Sequence, residues 1–228
     1  MSTLRNPRLL SRSYLPYFIA LLLPALVSLG LSASSYFPEF FHTFTPKVGG
    51  WSEYHIQDAR GEAADLTFAI VSEEDGAYWM ELRTVQGSEK AVVAFLIKGD
   101  PTDDANVLKI RAKDSSGPAL EIDRSTLEKL RREGHQVFGG QALPIGPTVG
   151  KLQPLPDEVI KVGRDSLKCR HIKVVGPNGQ EAEVWLNDAV IPFGVVKLVS
   201  GAEQVVLKDF GKRAKAELKG PFTPLVVQ

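Results

Sequence analysis

The feature that most constrains this fold is an alternation of apolar and polar residues that recurs along residues 51–210. Side chains in a strand point alternately to its two faces, so this period of two predicts strands with one face in a core. Tyr78, Met80 and Leu82 point one way and Glu81 points the other, toward a face that we expect to be wet. The chain is therefore predicted to be mainly β.

Short turns join the predicted strands. Asn178 with Gly179, and Asp75 with Gly76, favour the two positive φ angles of a tight hairpin turn. The stretch 91–97 lacks alternation and predicts a strand covered on both faces. Strands joined in this way form a curved antiparallel meander, either a half-barrel or a sandwich. The predicted strands are Trp51–Gln57, Asp65–Ser72, Ala77–Val85, Ala91–Lys98, Asn106–Lys113, Lys168–Val175, Glu181–Asn187, Val195–Ser200 and Glu203–Phe210.

One helix is predicted over Arg124–Glu133. Asp123 or Ser125 provides an N-cap. Leu127 and Leu130 form a thin apolar stripe, so we expect the helix to lie on the sheet with its other sides in solvent.

A charge-free segment near the N-terminus predicts export or membrane anchoring. Arg5, Arg8 and Arg12 precede it, and no charged side chain occurs in residues 13–38. Arginines before an apolar core are typical of a secretory signal or a signal anchor. Either way the remainder of the chain is predicted to lie outside the cytoplasm, in the periplasm or on the outer face of the inner membrane.

Whether this segment is cleaved or kept stays open. Ala33 and Ser35 are the predicted last residues of a cleaved peptide, because small residues occupy cleavage sites. An uncleaved anchor is the alternative, since about 18 or more apolar residues span a bilayer as a helix and residues 14–33 are long enough. Pro24 would kink such a helix without excluding it.

The chain divides into four predicted parts. Residues 1–35 are the signal peptide or transmembrane anchor, and residues 36–47 form an aromatic-rich arm that contacts the domain, a partner or the membrane interface. Residues 48–211 form the β domain, interrupted by a Gly- and Pro-rich loop at 139–157. Residues 212–228 are a C-terminal tail.

Charge and cysteine content narrow the function classes. Removing residues 1–33 takes away three arginines and no acidic residue, which leaves 24 basic and 27 acidic groups. A slightly acidic chain argues against nucleic acid as a partner, because nucleic-acid binding needs a basic face. Cys169 is the single cysteine, so no intrachain disulfide forms and stability must come from an apolar core.

Motifs for catalysis or metal binding are weak. The sequence has no Gly-x-Ser-x-Gly elbow, phosphate-binding glycine loop or His-Glu-x-x-His helix. Cys169 and His171 share one strand face, but nothing completes a metal or nucleophilic site there, so Cys169 is interpreted as a core residue. The acidic segment 100–106 could be a turn or a Ca²⁺-binding loop, and we interpret it as a turn. We expect no enzyme activity, no cofactor and no bound metal.

Several segments together resemble uncharacterised bacterial envelope proteins and, in outline, the LolA/LolB-like periplasmic lipoprotein-carrier fold. The resemblance implies a half-barrel with a helix over its open side and an apolar groove for a lipid or acyl chain. Trp79, Phe95, Trp185 and Phe193 are the candidates for lining that groove. The segments that carry the resemblance are 48–54, 75–82, 169–171, 183–188, 191–197 and 206–211.

Two functions follow as hypotheses. The first is a non-enzymatic envelope protein that binds a lipid or another apolar ligand in a groove of the curved sheet. The alternative is a membrane-anchored structural or protein-interaction module without a small-molecule ligand. The expected partners are the membrane, through the N-terminal segment, and a lipid or an envelope protein.

Overall fold

A single open sheet of 12 strands organises the described part of the chain. The computed structural model describes residues 44–101, 103–114, 117–133, 151–176, 179 and 181–225. The predicted mainly-β fold with one short helix is confirmed. The elements are β1 (Trp51–Gln57), β2 (Ala63–Glu74), β3 (Ala77–Gln86), β4 (Glu89–Ile97), a 3₁₀ turn (Asp104–Asn106), β5 (Val107–Asp114), β6 (Leu120–Ile122), α1 (Arg124–Arg132), β7 (Lys151–Val162), β8 (Asp165–Val175), β9 (Glu181–Leu186), β10 (Val195–Ser200), β11 (Glu203–Gly211) and β12 (Thr223–Pro224).

The predicted export segment and most of the aromatic arm lie outside the described residues. Within the described ranges, no helix has the length and apolar character needed to cross a membrane. The targeting residues that lie outside are Arg5, Arg8, Arg12, Ala33 and Ser35.

The sheet consists of two meanders joined in the middle. Its spatial order is β12-β6-β5-β4-β3-β2-β1-β11-β10-β9-β8-β7, and every pairing is antiparallel except that of β12 with β6. Strands β1–β6 follow one another along the chain, as do β7–β11. The pairing of β1 with β11 joins the two halves, with Trp51 opposite Gly211. The strand β7 also contacts β11, so the second half of the sheet curls.

One face of the first meander carries the main core, and we call it the inner face. Met80, Leu82 and Phe95 are buried there, with Met80 opposite Phe95 in the register of β3 and β4. The helix α1 packs on this side, where Leu127 joins the same cluster. Burying such side chains contributes about 1.5–3 kcal/mol each, which makes this face the main source of stability.

The opposite face of β3–β5, the outer face, is covered; the alternation of β3 predicts solvent there, whereas the lack of alternation in 91–97 predicts this cover for β4. Trp79, Ala94 and Leu96 form a second apolar cluster there, and Glu81 between them is only 1% exposed. Residues 212–225, which we call the C-terminal strap, lie across this face and bury Leu218 against it. The alternation therefore predicts correctly which face these side chains occupy. It does not predict that the strap, which is distant in sequence, shields this face from water.

The helix begins where the sequence predicts and ends one residue earlier. Asp123 is its N-cap, and its Oδ1 accepts a hydrogen bond of 2.8 Å from the backbone N–H of Thr126. Leu127 and Leu130 are buried, as the stripe predicts. The cap satisfies an N–H that would otherwise lack a partner in the first turn.

Residues 151–157 form strand where the sequence predicts an irregular loop. They belong to β7, the last strand at one edge of the sheet. Pro154 and Pro156 mask this strand in the sequence, because proline lacks the N–H that a central strand donates. An edge strand tolerates proline, since one of its sides needs no partner.

Candidate functional site

The four groove candidates lie on different faces. Trp79 pairs with Leu96 across β3 and β4 and lies on the outer face. Phe95, Phe193 and Trp185 all belong to the main core cluster, although Trp185, on β9, lies in the other half of the sheet. The structure therefore brings three of the candidates into one cluster and separates Trp79 from them.

The aromatic rings of the inner face contact one another. The Phe193 ring lies 4.9 Å from Phe68 and 5.3 Å from Phe44, edge-on and tilted respectively. Phe44, the first described residue of the predicted arm, also lies 5.3 Å from Tyr78. Tilted and edge-on rings at such distances are typical of a packed aromatic core. The rings of Phe44, Phe68, Tyr78 and Phe193 therefore pack against one another in this part of the core.

Trp79 is held in the outer-face cluster by a polar contact and a cation. Its indole Nε1 donates to Glu74 Oε2 at 2.8 Å. The guanidinium of Arg111 lies 4.1 Å from the Trp79 ring and 4.3 Å from the ring of Phe222 in the strap. Glu121 accepts from Arg111 Nε at 2.7 Å, which fixes the guanidinium between the two rings. Stacking of this kind suits arginine, whose planar cation is weakly hydrated.

Glu81 is the most buried carboxylate among the described residues of this face, and these residues donate hydrogen bonds to it from two sources. Arg83 donates from Nε at 3.0 Å and from Nη2 at 2.8 Å to Oε2. The strap donates two backbone N–H groups, from Glu217 to Oε2 and from Leu218 to Oε1, both at 3.0 Å. A buried charge is tolerated only when it is paired and hydrogen-bonded in this way.

A cavity of about 330 Å³ opens at the end of the outer face, beside the turn between β2 and β3. Its floor is apolar and includes Leu96 and Leu108. Charged groups of both signs stand around it, including Glu74, Lys98 and Arg124. Glu74 already accepts from Trp79. The cavity therefore adjoins the outer-face cluster, with a mixed charge that favours neither anions nor cations.

Trp185 is the centre of a second cluster, built by cross-strand neighbours. His171 and Lys197 lie opposite it on β8 and β10 and so share its face. The His171 ring stacks on Trp185 at 4.1 Å, and Lys197 Nζ lies 4.6 Å from the centre of the indole ring. Trp185 Nε1 donates to Glu158 Oε2 on β7 at 3.0 Å. This cluster ties four successive strands together.

His171 faces a carboxylate on each side. Its Nδ1 lies 3.3 Å from Glu158 Oε1, and its Nε2 lies 3.0 Å from Glu183 Oε2. Ionised carboxylates only accept hydrogen bonds, so both ring nitrogens donate at once only in the imidazolium form. Within the described residues, no group of three or more His, Cys, Asp and Glu side chains is arranged to hold a metal ion.

Cys169 is buried in the core, as its position on an apolar strand face predicts. Burial raises the pKa of its thiol, and the nearby carboxylates of Glu158 and Asp157 add to this effect. A thiolate is the reactive form of cysteine, so this environment disfavours nucleophilic chemistry.

The acidic segment 100–106 is a turn stabilised by its own hydrogen bonds. Asp103 Oδ1 accepts from the backbone N–H of Ala105 at 2.9 Å. Asn106 Nδ2 donates to the carbonyl of Asp100 at 2.9 Å. These contacts are those of a polar turn before β5.

The edge of the sheet at β7 has an unusual surface for its position. The strand is 12 residues long and pairs on one side with β8; no described strand pairs with its other side. Val159 is 67% exposed and Leu152 is 48% exposed. Pro154 and Pro156 lie in its first half, and the register with β8 shifts between Leu155 and Glu158. Edge strands with unpaired backbone groups and apolar side chains are templates for strand pairing.

The sequence does not predict the burial of Glu81 or the position of β7 at the edge of the sheet. Alternation places Glu81 on a face expected to meet solvent, because nothing local distinguishes it from Arg83. The edge has a readable signal: two prolines at a spacing of two, followed by the β-branched residues Val159, Ile160 and Val162, are typical of an edge strand.

Comparisons with known proteins add little to this geometry. No model of a protein family matches the sequence, and no curated protein matches it either. Among solved structures, MucB is similar at 12% identity and a TM-score of 0.44, over 88% of this chain and 61% of its own. MucB in complex with MucA(peri) gives 12% identity and 0.42, over 87% and 57% of the two chains.

The hypothetical protein CT021 from Chlamydia trachomatis is similar at 9% identity and a TM-score of 0.41, over 78% of this chain and 93% of its own. The chain spans about three-fifths of the length of the first MucB structure. All three TM-scores lie below 0.5, so these likenesses transfer neither a fold family nor a function. The resemblance to lipoprotein carriers stays a prediction.

Proposed function

We propose that this protein is a non-enzymatic envelope protein that lies outside the cytoplasm and binds a partner protein along the free edge of β7. The observation that carries the proposal is the edge itself, 12 residues long with exposed apolar side chains. The extracytoplasmic location is supported by the charge-free segment 13–38 that follows Arg5, Arg8 and Arg12.

An added strand would fit the second half of β7 best. Pro154 and Pro156 have no backbone N–H to offer, whereas residues 157–162 contain no proline. In β-augmentation, backbone hydrogen bonds give affinity and contacts with alternate side chains give specificity. Val159 lies in this half and provides an exposed apolar contact. We therefore expect the partner to present an extended segment with an apolar residue opposite Val159.

The cluster around Trp185 prepares this edge for binding. Glu158 lies in the same half of β7 and accepts from Trp185 at 3.0 Å, while Nδ1 of His171 lies 3.3 Å away. A strand that is already held in place loses less conformational entropy when a partner binds. The contacts of Glu158 thus favour β7 as a preformed template.

Binding of a lipid in a groove has weaker support. The rings of Phe44 and Phe68 both contact that of Phe193, so these side chains pack on one another. Such packing is also what a structural or protein-interaction module needs. The lipid hypothesis stays a prediction, and native mass spectrometry of the protein extracted from membranes checks it by the presence of a retained lipid.

In-cell photo-crosslinking tests the edge. A photoreactive amino acid replaces Lys161, an exposed residue of β7, and adducts are compared in wild type, Val159→Lys and Val85→Lys. Val85 is the matched control, an exposed valine at the end of β3. We expect Val159→Lys to lower the yield of one specific protein adduct about ten-fold, because a charge then faces an apolar contact, and Val85→Lys to leave it unchanged.

Equal yields in wild type and Val159→Lys would contradict the edge as the binding site. The location is tested separately, by determining the N-terminal residue of the protein isolated from cells and its sensitivity to protease added outside the cytoplasmic membrane. Protection from that protease in cells with a permeable outer layer would contradict the proposed location.

A further inference from the structure

The outer face has the features of a peptide-binding site, and the chain's own C-terminal strap occupies it. A buried carboxylate, Glu81, accepts two successive backbone N–H groups of the strap, from Glu217 and Leu218. Arg83 holds this carboxylate in place from the side. Two adjacent amides on one fixed carboxylate recognise a chain by its backbone, without regard to the side chains that it carries.

Two apolar contacts complete the recognition. Leu218 is buried against the cluster that contains Trp79 and Ala94. Four residues later in the strap, the ring of Phe222 lies 4.3 Å from the guanidinium of Arg111, and the ring of Trp79 lies 4.1 Å from the same guanidinium. The site thus contacts a leucine and a phenylalanine that are four residues apart.

The charges of the site add a preference for an acidic residue before the leucine. Glu217 lies 2.7 Å from Lys90 Nζ and 3.1 Å from Arg83 Nη1. Arg83 also donates to the carbonyl of Lys215 at 2.6 Å. Cations on one side and a buried carboxylate under the backbone favour the pattern Glu-Leu-x-x-x-Phe.

The strap buries fewer side chains than the strands beneath it. Of residues 212–225, only Leu218 is buried. The strap has no regular structure before Thr223–Pro224, which pairs with β6. It follows β11, so its release leaves the pairing of β1 with β11 intact. Segments with few buried contacts open at low free energy while the rest of a domain stays folded.

We infer that the outer face of β3–β5 is a peptide-binding site which the strap covers in cis, and from which a partner segment with the pattern Glu-Leu-x-x-x-Phe displaces it. We assign this pattern to the partner because the strap residues that contact the site, Glu217, Leu218 and Phe222, have it. Removal of the strap would expose Trp79, Ala94 and Leu96, an apolar surface that a solvent-exposed protein keeps covered. The site is independent of the β7 edge, which lies at the other end of the sheet.

The test uses a fluorescent peptide of residues 212–225 added to full-length protein. Anisotropy is measured for wild type, for Leu218→Asp, and for Leu218→Asp combined with Glu81→Gln. We expect the peptide to bind Leu218→Asp about ten-fold more tightly than wild type, since a charged residue weakens the competing strap. The combined variant should lose that gain, and a peptide carrying aspartate at the leucine position should not bind.

Equal affinity for wild type and Leu218→Asp would overturn the inference. Hydrogen exchange of the unmodified protein gives a second measurement that does not depend on the folding of a variant. We expect the amides of Glu217 and Leu218 to exchange at least about ten-fold faster than those of Met80 and Leu82 in β3. Exchange as slow as in β3 would contradict a displaceable strap. Concentration-dependent dimers that the peptide dissociates would replace the partner with a second copy of the chain and would also overturn the inference.

Discussion

Trp79 and Trp185 have the same kinds of contact in the two halves of the sheet, but different parts of the chain cover them. Each is buried, each donates its indole N–H to a glutamate, and each carries a cation on its ring. Around Trp185 the groups come from the neighbouring strands β7–β10. Around Trp79, part of the cover comes from Leu218 and Phe222, far away in sequence.

The difference separates a local cluster from one that depends on a distant segment. Cross-strand neighbours are brought together as soon as successive hairpins form, so the Trp185 cluster follows from the register of those hairpins. The Trp79 cluster is complete only after residues 212–225 cross the outer face. We expect the Trp185 cluster to open only when its strands separate. We expect the Trp79 cluster to open when the strap detaches, while the sheet stays folded.

The largest expected effect comes from truncating each tryptophan. Trp79→Ala and Trp185→Ala should each lower the free energy of unfolding by about 3–5 kcal/mol, as for other large buried aromatic residues. Urea unfolding measures this. A loss of this size in only one of the two variants would contradict the view that the two tryptophans have equivalent contacts.

Hydrogen exchange of the same variants sharpens the comparison. Trp79→Ala should speed exchange of the strap amides of Glu217 and Leu218 beyond the global loss of stability, because it removes the surface that Leu218 contacts. Trp185→Ala should speed exchange of the strap amides only as much as its loss of global stability requires. Trp79→Phe and Trp185→Phe are the matched controls, which keep an aromatic ring but lose the indole N–H.

A smaller effect is expected from neutralising one carboxylate in each region: Glu81, which is buried on the outer face, and Glu158, which accepts from Trp185. Glu81→Gln should lower the free energy of unfolding by about 3 kcal/mol, because it leaves Arg83 without its buried charged partner. Glu158→Gln should cost about 1 kcal/mol or less, since the Glu158 side chain is 52% exposed and water screens its interactions. Urea unfolding of the two variants side by side is the measurement, and equal losses would show that burial does not distinguish the clusters.

The smallest effect is a dependence of the strap on pH. Burial by itself would raise the pKa of Glu217, but Lys90 and Arg83 outweigh burial and lower it. A lowered pKa stabilises the folded strap fully above the ordinary glutamate value of about 4.3. This contribution is lost as the pH falls through the lower folded-state value.

Strap opening should therefore increase as the pH is lowered from about 5 to 3, beyond any change in the exchange of β3. Hydrogen exchange corrected for the intrinsic pH dependence of amide exchange measures it. Glu217→Gln is the control, because it has no charge to lose at this position, and its strap opening should depend less on pH than that of wild type. The same pH dependence in wild type and Glu217→Gln would contradict the role of the Glu217 ion pairs; the expected difference is small because the side chain is 37% exposed.

Much of the fold could be predicted from the sequence, because its main strands alternate and their turns are short. The strands Trp51–Gln57 and Val195–Ser200 have the predicted bounds. The turn between β2 and β3 has positive φ angles at Asp75 and Gly76, as the pair predicts. The short strands β6 and β12 were not predicted, since two or three residues carry too little pattern to identify a strand.

The candidate sites were less accessible from the sequence. The sequence identifies Trp79 and Trp185 as candidates, but alternation cannot tell whether an aromatic side chain on the second face of a sheet lines a groove, meets solvent or is covered. The sequence also places His171 on the same strand face as Cys169, whereas its partners Glu158 and Glu183 lie on other strands and depend on the register.

Local patterns in the sequence are enough to predict the mainly-β class, the tight turn at Asp75 and Gly76, the helix, and the direction of side chains in the predicted strands. These properties depend on local backbone preferences and on a period of two, which need no knowledge of distant residues. The burial of Glu81, the cover of Trp79 by the strap and the position of β7 at the edge follow from the tertiary structure alone. Those outcomes arise from contacts between residues far apart in the chain, and local preferences carry no information about which distant segment completes a surface.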